Sequence, residues 1–332
     1  MRILVAGGGG YLGSALVPAL LDRGYKVKVA DLFWFGNYLP KKADILKRNV
    51  FDMTKHDLKG CDQVIFLAGV SNDPMAEFSP SKNFIFNTAA PTYLAYVSKK
   101  IGIRRFIYAS TCSIYGYGFE GLCDENYPIS CSYPYGISKF QGEQGVIQMT
   151  AENFSVICLR MGTISGYSPR MRLDLAVNAM FRSAMVEGKI TIKNASLWRP
   201  ILGMHDAINI YLRTVEVNEK ISGVFNVASG NYMLGELGDL VREGIEKRLN
   251  KKIGIKILDK KDYRSYKVNI NKAKEVLSFK PTYDVDCIVK DLVDNMNKFK
   301  DYDNPRYYNI KIFTSLLEKR SNNTQKSRNR KR

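Results

Sequence analysis

Four successive glycines, Gly7 to Gly10, followed by Tyr11, Leu12 and Gly13, stand directly after the apolar run Ile3–Ala6. The order reads as a buried strand, a tight turn, and a helix from about Tyr11 to Arg23 closed by Gly24. The spacing Gly7-x-x-Gly10-x-x-Gly13 has a physical purpose. Gly7 permits the turn, Gly10 lets backbone approach a pyrophosphate, and Gly13 lets the helix lie close to the strand with its positive end toward the anion. Glycines can also simply make a turn; their place after the first strand is what points to a dinucleotide. Asp31 ends the second predicted strand, Val27–Ala30. A carboxylate there accepts hydrogen bonds from the adenosine ribose and repels a 2′-phosphate. No arginine stands beside it in the sequence, so NAD is expected over NADP.

The alternation continues. Lys47–Val50, Val64–Ala68, Arg105–Ser110 and Ser155–Leu159 are short β-type runs, with helical stretches near Pro91–Lys100 and Tyr135–Asn153. Strands separated by helices imply right-handed crossovers and an α/β fold, a doubly wound parallel sheet of Rossmann type. After Arg160 the rhythm breaks at Pro169 and Pro200 into short elements, the expected smaller C-terminal substrate lobe. A chain of 332 residues has room for about two domains. We expect residues 1–165 to form the cofactor domain, with segments near 203–230 returning to it. Residues 166–318 are expected to form mainly the substrate lobe, and 319–332 a basic tail too polar to pack.

Composition narrows the partner classes. Six cysteines without C-x-x-C spacing fit free thiols in a reducing cytoplasm. With only His56 and His205, neither a histidine-rich metal site nor a Ser-His-Asp hydrolase is expected. Apolar runs such as Val64–Val70 fall far short of the ~20 residues of a membrane helix, so no membrane partner is expected. The net charge is +18, but Lys319–Arg332 holds seven basic residues and no acidic one, leaving +11 on the body. That surplus suits a phosphate-bearing substrate, and a nucleic-acid partner is not expected.

Tyr135-Gly136-Ile137-Ser138-Lys139 opens a helix announced by Pro134. The spacing puts Tyr135 and Lys139 on one face, a turn apart. A lysine ammonium there favours the phenolate and lowers a pKa that starts near ~10, suiting the phenol to act as a base. Tyr96 and Lys100 share the spacing, but no hydroxyl at a strand end accompanies them, so they read as helix surface. Tyr135 instead follows Ala109-Ser110-Thr111-Cys112-Ser113. Those hydroxyls lie beyond a strand C-terminus, where open α/β sheets bind ligands. Cys112 reads as a small packing residue rather than a base.

Together, the glycine motif, Asp31, the run Ser110-Thr111-Cys112-Ser113-Ile114-Tyr115-Gly116 and Tyr135-x-x-x-Lys139 resemble the extended short-chain dehydrogenase/reductase family. More narrowly, they resemble its nucleotide-sugar epimerase/dehydratase branch, over about residues 1–315. Ser168–Asp174, Trp198-Arg199-Pro200 and Arg264–Val268 also look like that branch's sugar-nucleotide lobe. The resemblance implies Thr111 as the catalytic hydroxyl, Tyr135 as the base, and Lys139 as the lysine that also holds the nicotinamide ribose. It implies NAD contacts at Gly7, Gly10, Tyr11, Leu12, Gly13 and Asp31, with Asp52 and Met53 at the adenine. Leu67, Ala68 and Gly69 would pass beneath the cofactor, with Asn87 near the active site. Arg199 and Arg264 match positions that grip the substrate diphosphate, and Arg170 and Arg172 are further expected substrate contacts. Met161-Gly162-Thr163 departs from the asparagine common after that strand's arginine, and His205 reads as structural. Family members commonly dimerise through the two helices that here would be Pro91–Lys100 and Tyr135–Asn153. Ile137, Phe140, Val146 and Ile147 offer more apolar surface than one sheet face needs.

The branch's shared chemistry is removal of a hydride from a sugar carbinol carbon by NAD⁺ while the tyrosine takes the hydroxyl proton. Family 4,6-dehydratases carry acidic residues after the catalytic threonine, and decarboxylases a glutamate in the same stretch; this chain has Cys112-Ser113. A keto-reductase draws on external NADPH, which Asp31 disfavours. An epimerase that retains NAD and returns the hydride fits best. A dehydratase or keto-reductase is the alternative enzyme, and a catalytically silent NAD-binding sensor the alternative of another class.

Overall fold

Alternating side chains of the first strand decide how the sheet is covered. In β1 (Arg2–Ala6), Ile3 and Val5 enter one hydrophobic cluster while Leu4 and Ala6 enter a second. A strand buried on both faces must sit inside a sheet with helices on either side. The computed structural model, which describes residues 1–259 and 264–318 (117–120 by backbone alone), has that arrangement. The other strands are β2 (Lys26–Asp31), β3 (Asp44–Lys47), β4 (Gln63–Phe66), β5 (Arg105–Thr111), β6 (Ser155–Met161) and β7 (Gly223–Val227). They lie in the order β7-β6-β5-β4-β1-β2-β3, every neighbouring pair parallel. Helices α1 (Gly13–Asp22) and α4 (Met204–Glu216) cover one face. Helices α2 (Ala90–Lys100) and α3 (Pro134–Ile147) cover the other. The chain leaves β1 toward β2 on one side and returns to β4 on the other. That reversal opens a crevice at the strand C-termini.

Apart from β7, the strands after β6 build smaller sheets. Trp198–Gly203 pairs with Thr163–Ser165 and Gly230–Met233, and Lys189–Lys193 pairs with Gly254–Leu258. Two expected boundaries shift. The run expected at Lys47–Val50 is strand only through Lys47, opposite Asp31, because Asn49 accepts from Phe51 N and turns the chain into a 3-10 turn, Val50–Asp52. The helix expected to reach Asn153 stops at Ile147, whose carbonyl accepts from the Thr150 hydroxyl at 2.7 Å. The surplus apolar surface expected on α3 is only partly taken up within the chain, since Ile137, Phe140 and Ile147 stay half-buried. Val146 is wholly buried in the core, and Phe140 and Ile147 pack against core clusters of the same chain. The expected tail, 319–332, lies outside the described residues. Among the described residues no helix is long and apolar enough to cross a membrane.

Candidate active site

A cleft of about 380 Å³ opens at the C-terminal ends of β1, β2, β4 and β5. Its cofactor half is built on backbone. Gly7 has φ +84°, and a Cβ there would strike the backbone of Ala68; one on Gly13 would come within 2.5 Å of Gly8 Cα. Such contacts leave no room for side chains and bring the loop against Leu67–Gly69. Gly7, Gly10, Tyr11, Leu12 and Gly13 all line the cleft, as do Leu67, Ala68, Gly69 and Asn87. Asp31 is pinned by Gly9 N at 2.8 Å and Phe33 N at 2.6 Å. Burial raises its carboxyl above the ordinary value, against the pull of those N–H bonds. Asn87 ties the floor, accepting from Val70 N at 3.0 Å and donating to Val70 O at 2.9 Å.

The hydroxyl, phenol and lysine expected to carry chemistry lie together. Thr111 ends β5, Tyr135 and Lys139 stand one turn apart on α3, and all three line the cleft. The Thr111 hydroxyl accepts from Ser113 N at 3.2 Å and acts on the Tyr135 phenol, favouring its ionised form. Lys139 Nζ donates to Ala109 O and lies 4.3 Å from the Tyr108 ring centre. Their acidities differ from the expectation. Burial pushes the Tyr135 phenol up to about 12, and Asp73 adds to the rise against Thr111 and Arg172. Burial also brings Lys139 down to about 7, with Glu143 opposing. The ammonium effect predicted from spacing therefore does not appear in the protein alone: desolvation outweighs it.

Behind them is a buried ion pair. Arg160 Nη2 donates to Glu143 Oε1 at 2.7 Å, and Ser110 Oγ donates to Glu143 Oε2 at 2.6 Å. Cys112 is 1% exposed, outside the cleft lining, with its Sγ directed to Arg160 O. Burial raises its thiol far from a useful base. The look-alike Tyr96 is half exposed on α2, outside the cleft lining, with Lys100 Nζ 5.7 Å from its ring centre.

All four expected arginines line the cleft, in different company. Arg172 is bound to Asp174 at 2.8 and 3.1 Å. Arg264 pairs with Asp73 and lies 4.9 Å from the Tyr133 ring centre. Arg199 donates to the Arg264 carbonyl and stands 5.8 Å from the Tyr266 ring centre. Arg170 is 1% exposed, 3.8 Å from the Phe35 ring centre, and its charge acts on Asp31. Burial and Arg172 together draw it down to about 9. A residue from a distant segment thus adds positive charge to the surroundings of Asp31.

Asp52 and Met53 are not part of the cleft lining; Arg48, Asn49 and Val50 take that place. The 3-10 turn carries the chain past the crevice, and Met53 is buried with Tyr93 near its carbonyl. Sequence reasoning missed Asp73, Ser71 and Asn309, all in the cleft lining. Asp73 stands four residues beyond Gly69, which was a usable signal; Asn309 had none. His205 stacks on Tyr283 at 4.3 Å, outside the cleft lining.

The residues present fit a dinucleotide: a side-chain-free glycine cradle, a pinned carboxylate, and a buried Arg170 Nε with no partner among the described residues. Comparison with known proteins agrees. UDP-glucuronic acid decarboxylase 4 of Arabidopsis thaliana is 28% identical over 299 residues, which span 85% of this chain and 65% of the decarboxylase. A Methanocaldococcus jannaschii protein assigned as a UDP-glucose 4-epimerase is 26% identical, over 89% of this chain and 98% of its own. The structure of a UDP-glucose 4-epimerase from Thermotoga maritima superposes with a TM-score of 0.80 at 25% identity, over 90% of this chain and 99% of that one. Residues 3–228, which carry the glycine loop, Asp31 and the Thr111-Tyr135-Lys139 group, match the family model as a unit. The chain therefore belongs to the NAD-dependent epimerase/dehydratase family.

Proposed function

We propose that this protein is a nucleotide-sugar epimerase that retains its NAD. One observation carries the reading: a hydroxyl, a phenol and a lysine converge beside the glycine cradle, and among the described residues no carboxylate accompanies Thr111. Cys112 is buried away and Ser113 is neutral. Among the described residues, the carboxylates in the cleft lining are Asp31, held by backbone, and Asp73, held by Arg264. Carbon-5 deprotonation or decarboxylation assisted by an acidic neighbour therefore has no uncommitted carboxylate placed for it among the described residues. The names of the relatives include both epimerases and decarboxylases, and UDP-sugars are the first substrates to try.

Gly7–Gly13, Asp31 and Leu67–Gly69 would hold the cofactor, whose nicotinamide, when bound, takes up and returns a hydride. Tyr135 removes the proton of a sugar hydroxyl, and Thr111 orients that oxygen by hydrogen bonding. Lys139, titrating at about 7, can change charge at working pH and favours the phenolate when protonated. Arg199 and Arg264 bind the diphosphate, Arg264 while keeping its pair with Asp73. A homodimer and a cytoplasmic location belong to the same reading. Exposed Tyr93 and Tyr96 on α2 support the first, and six free cysteines the second.

The test is to read bound nicotinamide in purified protein, then offer UDP-, GDP-, dTDP- and CDP-sugars and follow them by mass spectrometry and NMR. A product of unchanged mass with an inverted centre is expected. Loss of water would establish a dehydratase and loss of carbon dioxide a decarboxylase. No turnover of any sugar would favour a sensor.

A further inference from the structure

The last described segment does not join any sheet. After the 3-10 turn Pro305–Tyr307, residues 309–318 are helical, and Asn309 at their start lines the cleft. Leu173 N donates to Tyr307 O at 2.9 Å, fastening the segment beside Arg172 and Asp174. Asn309, 4% exposed, then makes three bonds. Its Oδ1 accepts from Arg170 Nη2, its Nδ2 donates to Ser71 Oγ at 2.7 Å, and its backbone N donates to Asp174 Oδ2 at 3.4 Å. One turn on, Phe313 is fully buried with Val70, Met75 and Ala76, in a cluster that also packs Tyr135. Its ring lies 5.8 Å from that of Trp34 and 6.2 Å from that of Phe78.

Trp34 is three residues past Asp31, and Val70 and Ser71 directly follow Leu67–Gly69. Residues 309–313 thus bridge the loops after β2 and β4, which flank the crevice on either side of the glycine turn. Beneath the bridge lies Arg170, 1% exposed, stacked on Phe35 and with Nε unpartnered among the described residues. A buried guanidinium N–H without an acceptor is rare, and an anionic ligand group removes the cost. We infer that residues 309–318 complete the cofactor site, with Asn309 as a positioning residue for Arg170 and Phe313 as the wedge that holds the cleft shut over NAD. The cofactor then leaves only when this helix lifts. An enzyme that returns its hydride each cycle needs no cofactor exchange, so such closure does not slow turnover. This rests on the epimerase reading for its purpose, and on family membership for the cofactor.

The experiment uses full-length protein saturated with NAD and follows nucleotide dissociation after dilution, with hydrogen exchange of residues 305–318 as a second measurement. Phe313→Ala should release NAD at least tenfold faster than wild type, and Asn309→Ala at least threefold faster. Phe313→Leu, which restores most of the buried bulk, should stay within about threefold. NAD should also slow exchange across residues 305–318. If Phe313→Ala does not fold, Asn309→Ala and the exchange data decide. Equal dissociation rates in wild type and the folded variants, or exchange indifferent to NAD, overturn the role of this helix alone. A wild-type protein that binds no NAD overturns the cofactor assignment itself.

Discussion

Replacing Glu143 by Gln tests how the catalytic end of α3 is held. Glu143 is fully buried and Arg160 only 4% exposed. The carboxylate accepts from Arg160 Nη2 at 2.7 Å, Arg160 Nε at 3.1 Å and Ser110 Oγ at 2.6 Å, so it joins α3, β5 and β6 directly beneath Thr111 and Lys139. Glutamine keeps the volume but removes the charge and one acceptor. Arg160 retains Tyr115 and the Glu125 carbonyl but no counter-charge. Breaking one side of a buried pair costs about 3–5 kcal/mol, a factor of roughly 100 or more in the folding equilibrium. Urea unfolding followed by the fluorescence of Trp34 and Trp198 reads that loss. The double variant Glu143→Leu/Arg160→Met should recover most of it, because an apolar pair of similar volume needs no desolvation of charge. Glu143 also supports the charged form of Lys139, so the lysine should titrate below about 7 in Glu143→Gln. A single variant within about 1 kcal/mol of wild type, or a double variant no better than it, refutes the reasoning.

Tyr135→Phe should lower turnover about 100-fold or more with little loss of NAD, while Tyr96→Phe, half exposed on α2, should stay within about twofold; the reverse result would mean the other tyrosine carries the chemistry. NAD should bind at least about tenfold tighter than NADP, about 1.4 kcal/mol by calorimetry. Equal affinity would point to Arg170 as a partner for the 2′-phosphate. Arg199→Ala and Arg264→Ala should each raise the substrate KM about tenfold or more, while deleting residues 321–332 should leave it nearly unchanged; the opposite pattern would overturn the substrate-site assignment. Lys139 is held to about 7 by burial, below an ordinary lysine, so between pH 7 and about 10 the unfolded chain binds the extra proton and stability owed to this group rises with pH. The melting-temperature advantage of wild type over Lys139→Met should therefore grow from pH 7 to pH 9, and a flat difference would show that the lysine is not desolvated.

Local rules make much of this protein legible in its amino-acid order. Glycines at 7, 10 and 13 must make a close turn wherever they follow a strand, and four-residue spacing must place Tyr135 and Lys139 on one helical face. Alternating strands and helices leave few topologies open. What the sequence could not state depends on segments far apart in the chain. The charge of Arg170 acts on Asp31 across 139 positions, and Asn309 meets Ser71 across 238. The first adds a charge near Asp31 that sequence neighbours do not supply, and the second placed a residue in the cleft that no motif announced. Acidity was equally hidden. Spacing gives Tyr135 a lysine neighbour, but only packing shows that burial outweighs that charge and drives the phenol up and the lysine down. Short-range geometry is encoded residue by residue. Desolvation and long-range pairing come into being only when the core closes around them.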